Sequence, residues 1–226
     1  MKGMFLRYSV FVVGLYFLSL GIVCIVTSSL GTTPISSVNY VVSLNTPLTL
    51  GMATFMLNML LIIGQFALVH GCGTRRDRVE ILLQIPFSFL FSAFIDFNMA
   101  IMSGVEVAGY PMALGLLAAG CVSQAIGVTL EVKPDVAIMS AEGFVKYASW
   151  RYNRPFGKLK VWFDVSLVSC AALLSVVMAG RIDGIREGTV IAALSTGYLV
   201  TFLSKYVFTR SNMRSLRHAV GKVLPM

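Results

Sequence analysis

Asn58 and Asp164 occupy matching places in two strongly apolar runs: Asn58 follows Gly51 by seven residues, and Asp164 follows Gly157 by seven. A side-chain amide or carboxylate inside hydrocarbon is costly unless partnered, so such residues mark either an interhelical hydrogen bond or a solute path. Upstream of each the chain breaks at a proline, in Leu30-Gly-Thr-Thr-Pro34 and again in Leu130-Glu-Val-Lys-Pro134, one hundred positions later. The first N–H groups of a helix have no partner of their own and favour polar or anionic atoms. Thr32, Thr33 and Pro34 in the first break, with Pro134 and Asp135 in the second, are therefore candidates to hold a solute together with Asn58 and Asp164. Gln84, Asp96 and Gln124, polar residues inside other apolar runs, complete the candidate set.

Depth can be worked out from spacing. If Gly51 and Gly157 lie at opposite faces, seven residues at about 1.5 Å each put both polar residues about 10 Å deep in a core of about 30 Å. A small solute could then touch both, and Asp164→Asn is expected to abolish flux. The other assignment for Asp164 is an interfacial anchor, because Lys160 lies four residues earlier on the same helix face. Asp96, about 24 Å along its helix from Glu80, is placed at external water or headgroups, or in a proton-coupling role. Pro86 is expected to kink that helix and offer Gln84 an opened backbone, while Gln65 is placed at the interface.

The elements that must position these residues are membrane helices. Hydrophobic residues are 57% of the 226, charged residues 12%, and the mean hydropathy is +0.82, outside the range of a soluble domain. Between Arg7 and Arg75 there is no formal charge, counting His70 as neutral. Six stretches are long enough to span: 8–29, 49–70, 80–102, 109–130, 158–180 and 187–207. With the N-terminus in the cytoplasm, sixteen of the eighteen basic residues fall on the cytoplasmic side and only Arg181 and Arg186 fall outside, which orients the bundle with both termini inside. This asymmetry accounts for the net charge of +8 without nucleic acid, and residues 208–226 read as a basic cytoplasmic tail at the headgroups. The first span is too long for a secretory h-region, and no small-residue cleavage site follows it.

Three spans per half is an odd number, so two similar halves must be inverted in the membrane. The expected fold is thus a single all-α membrane domain of six transmembrane helices, built from two inverted three-helix repeats over 7–102 and 109–207. Each repeat is expected to carry a short Pro-initiated extra helix, one from Pro34 to Asn45 and one from Pro134 to Ser149. Thr33 is placed to cap the first. In the second, Asp135, Glu142 and Lys146 form a stripe opposite Ala137, Ala141, Phe144 and Ala148, which places that helix on or near the cytoplasmic face.

The Gly31-Thr-Thr-Pro34 break, Gly51 with Asn58, Pro134 with Asp135, Asp164, and Glu187-Gly-Thr-Val-Ile-Ala-Ala-Leu-Ser-Thr-Gly197 together resemble the bacterial YczE/YyaS/YitT-type membrane proteins. The resemblance covers roughly residues 7–207 and implies a small polytopic protein of the bacterial inner membrane, with no defined substrate. In the second half, Glu131 stands where a glycine is expected and Lys133 precedes the proline, which points to a cytoplasmic mouth rather than a buried cradle.

Other chemistries find little footing. No Ser-His-Asp set, HExxH, CxxC cluster or phosphate-binding Gly-rich loop is present, so no enzyme, metal, cofactor or autonomous ATP use is expected. Cys24 and Cys121, in the first and fourth spans, resemble the redox pair of CcdA-type thiol relays, but no proline flanks either, and apolar packing accounts for both. The expected function is a small secondary transporter or exporter moving a small polar or anionic solute by alternating access. The alternatives are a substrate-binding subunit of an ATP-driven importer and, more remotely, a thiol-disulfide relay. The lipid bilayer and the solute are the expected partners, and the sequence leaves a homo-oligomer open.

Overall fold

The computed structural model describes residues 2–71, 73–134, 136–181, 184 and 186–203. Among them every regular element is a helix: α1 Lys2–Thr27, α2 Pro34–Asn45, α3 Leu50–Val69, α4 Arg75–Met102, α5 Tyr110–Val132, α6 Ser140–Tyr152, α7 Phe156–Ala179 and α8 Glu187–Phe202. Five of these, α1, α3, α4, α5 and α7, are long and apolar enough to cross a membrane, which marks an all-helical multi-pass membrane protein. The expected span 187–207 begins as α8. Its remainder past Leu203, like the tail 208–226, lies outside the described residues.

Local chemistry sets most helix starts. Thr49 accepts the N–H of Met52 to cap α3, and Thr74 with Asp77 forms a reciprocal capping box at α4. Pro34 occupies the first turn of α2, where its missing N–H is no loss. The second short helix departs from expectation: it begins at Ser140, not at Pro134. Pro134 falls two residues past the end of α5, just after its Lys133 cap, where its ring cannot continue the helix, and its carbonyl accepts from Arg7 Nε at 2.6 Å.

At the centre α1 and α5 run antiparallel in close contact. A Cβ on Gly21 would meet the backbone N of Gln124 at 2.5 Å, and one on Gly127 would meet that of Leu18 at 2.4 Å, so only glycine permits this approach. Phe11, Leu15, Val23 and Ile25 of α1 are fully enclosed. Around this pair, α4 packs on α1 and α8 on α5, α2 packs on α7 and α3, and α6 packs on α3 and α7. The outer surface is apolar. Trp162, Leu173 and Val177 of α7 stand mostly exposed, as lipid-facing residues do.

One interval recurs along the chain. Helix α2 begins at Pro34 and α6 at Ser140, α3 at Leu50 and α7 at Phe156, and Gly14 and Gly21 of α1 match Gly120 and Gly127 of α5. Each pair is 106 positions apart, as are Gly51 from Gly157 and Asn58 from Asp164. Aligning the two prolines instead shifts the register by six residues.

Candidate functional site

A cavity of about 110 Å³ lies at the centre of the bundle, where α1 to α6 meet. Its polar lining comprises Ser36 and Asn39 of α2, Thr54 and Asn58 of α3, Gln124 and Glu131 of α5, and Ser140 and Glu142 of α6. The first turns of both short helices therefore face one space. Neither cap residue's own side chain caps its helix. Thr33 stands at the cap position of α2 but donates its hydroxyl to Ser36 Oγ at 2.9 Å. The equivalent position in α6, 106 residues later, is Met139, which has no capping atom.

Asn58 ties α3 to α6. Its Oδ1 accepts the Ser140 hydroxyl at 2.6 Å, while its Nδ2, fully enclosed, has no hydrogen-bond partner among the described residues. Gln124 Oε1 is likewise buried without one. Asn39 and Thr54 are satisfied, since Asn39 Nδ2 donates to Thr54 Oγ1 at 3.1 Å and Thr54 donates to the Leu50 carbonyl at 2.8 Å. A buried donor and a buried acceptor left unpaired in one cavity are costly in a protein that holds nothing there, and they suit a polar occupant.

Glu131 overturns the expectation of an exposed mouth. It is 6% exposed and lines the cavity, and its carboxylate accepts the backbone N–H of Met139. From Glu142 a chain of charge runs outward to α7: Lys160 Nζ lies 3.7 Å from Glu142 and 2.9 Å from Asp164. Asp164 does not line the cavity, so Asn58 and Asp164 face different surroundings.

The remaining candidates serve other contacts. Asp96 accepts from the Gly51 N–H at 2.8 Å and from Thr49 Oγ1 at 2.7 Å, at the start of α3. Gln84 and Gln65 exchange two amide hydrogen bonds at 2.8 and 2.9 Å, and Gln65 Nε2 also reaches the Ser140 carbonyl at 3.0 Å. Gln65, expected at the interface, is fully buried because these bonds hold it against α6. Thr32 donates its N–H to Thr189 Oγ1 and its hydroxyl to the Gly184 carbonyl, clamping the first break to the start of α8. Asp135 lies outside the described residues.

A larger and more open cavity, about 460 Å³, is lined by Ser29, Tyr40, Leu44, Asn45, Arg181 and Arg186 among others. Helix α2 forms part of the wall of both cavities. The smaller one is the better site, because two unpartnered buried atoms, Asn58 Nδ2 and Gln124 Oε1, face it and no such atom among the described residues lines the larger one. Near the other end, Lys146 pairs with Glu80 at 2.6 Å beside Tyr147, whose phenol is raised above its ordinary range by burial and by the Glu80 and Asp77 carboxylates.

Sequence reasoning did not select Glu131, Asn39, Thr54 or Ser140. A signal for Glu131 was present: it follows Gln124 by seven residues, two helical turns on one face. No curated protein and no solved structure matches this chain. A family model does match, over residues 5–205, and the chain belongs to that family of unknown function (DUF6198).

Proposed function

We propose that the chain is a small secondary transporter that carries a small polar solute through the central cavity by alternating access. The observation that carries this reading is the unpaired Asn58 Nδ2 and Gln124 Oε1 in a cavity where two helix starts converge. Helix starts aimed at one buried point, one from each half, are what a transport site needs in order to strip water from a polar solute.

The proposal includes two inverted repeats with a sixth span continuing α8. Support comes from the common interval of 106 residues and from packing that obeys the same exchange of halves: α1 with α4 corresponds to α5 with α8, and α2 with α7 to α6 with α3. Charge asymmetry supports cytoplasmic termini, and the motif resemblance to YczE/YyaS/YitT-type proteins supports a bacterial inner membrane. In this arrangement α2 and α6 are the outer and inner gates.

Purified protein in sealed liposomes, assayed with labelled glycine, urea, acetate and methylamine, tests the reading. Flux of at least one of these above protein-free vesicles is expected, and Asn58→Leu is expected to remove it while the variant remains folded. Equal flux through wild type and Asn58→Leu would refute the assignment of this cavity.

A further inference from the structure

Resting on that transport reading, we infer that the solute is a small amino-carboxylate, with an ammonium group at one end and a carboxylate at the other. The cavity lining carries two chemically opposite sets of groups. At the α6 side stand Glu131 and Glu142. Lys160 is paired with Glu142 and Asp164 and acts on Glu131 only from beyond contact, so Glu131 forms no ion pair among the described residues. A buried carboxylate is stable only when a proton or a cation neutralises it, and an ammonium group supplies both charge and hydrogen-bond donors.

The other set is made of donors and adjoins the α6 side where Ser140 donates to Asn58 Oδ1. The first turn of α2 carries no acidic residue and no side-chain cap, and Ile35 and Ser36 of that turn line the cavity beside Asn58. Its partial positive charge and the unpaired Asn58 Nδ2 favour a carboxylate. A free anion would meet the repulsion of Glu131, and a simple cation would leave the donors unpaired. A zwitterion satisfies both. At about 110 Å³ the cavity has room for a solute of about the bulk of three or four waters, the scale of glycine or β-alanine.

The test uses the full chain in lipid nanodiscs, titrated calorimetrically with glycine, β-alanine, acetate and methylamine, alongside flux of the same four in liposomes. At least one of the two amino-carboxylates is expected to bind about tenfold or more tighter than acetate and methylamine. Glu131→Gln is expected to weaken that binding roughly 30-fold or more. Should that variant not fold, Asn58→Asp keeps the acceptor for Ser140 and is expected to weaken amino-carboxylate binding, because it replaces a donor with a carboxylate that repels the solute's own. Acetate or methylamine binding as tightly, or no binding by either amino-carboxylate, overturns the inference. Amino-carboxylate binding without flux upholds the inference and refutes transport; flux of another class alone does the reverse.

Discussion

Gln65 and Gln84 offer a quantitative test of how α6 is held. Both are fully buried, they exchange two amide bonds, and Gln65 adds a third bond to the Ser140 carbonyl. Gly143 of α6 fits directly over the pair, where a Cβ would meet Gln65 Oε1 at 2.7 Å and Gln84 Nε2 at 2.8 Å. Gln84→Leu strands Gln65 Oε1 and leaves its Nε2 only the Ser140 carbonyl. In water-soluble proteins a stranded buried polar group costs about 1–3 kcal/mol. Side-chain hydrogen bonds in membrane proteins average about 0.6 kcal/mol and reach about 1.7. For two reciprocal bonds, a coupling of about 1–3 kcal/mol is therefore expected. Unfolding by SDS in mixed micelles, followed by circular dichroism for wild type, Gln65→Leu, Gln84→Leu and the double variant, measures it. The double variant should lose less stability than the two single losses summed, by that amount. Strict additivity would show that the amides do not hold each other.

Three further outcomes follow from the packing. Asp96→Ala removes the acceptor for Gly51 and Thr49 and should cost about 1–2 kcal/mol in the same unfolding assay, with Asp96→Asn costing less because one acceptor oxygen remains. Gly127→Leu should abolish a monodisperse peak in size-exclusion chromatography, since its Cβ alone would meet Leu18 backbone at 2.4 Å; Gly115→Leu on the same helix, with open space around it, should retain the peak. Asp164→Asn should keep solute flux within about threefold of wild type, because Glu142 still faces Lys160 and the cavity lining is untouched.

Much of the fold was legible because hydrocarbon restricts the choices: composition and run length identify the five described spans, and Pro34 and Thr49 mark helix starts that local chemistry dictates. The second short helix was misplaced because Pro134 both ends α5 and resembles a helix start, and a proline alone does not say which. Asn58 and Gln124 were legible as polar residues in apolar runs. Glu131 was not, because its place at the end of an apolar run and two residues before Lys133 looks like a headgroup position in sequence; the close approach of α1 at Gly14 and the Met139 N–H brought to its carboxylate enclose it. The pairing of Asp164 with Lys160 was visible from their spacing, whereas the separation of Asp164 from the cavity depends on how α7 faces its neighbours.

The claim that matters most is that the central cavity opens to each side of the membrane in turn. Ser36, which lines it and is nearly fully buried, can report this as Ser36→Cys in a chain whose Cys24, Cys72, Cys121 and Cys170 are replaced by Ala. Sealed vesicles of known orientation would be treated with a membrane-impermeant maleimide from one face or the other. Alternating access predicts modification from both faces, each slower than that of a surface cysteine. Modification from one face only, or from neither, would contradict it.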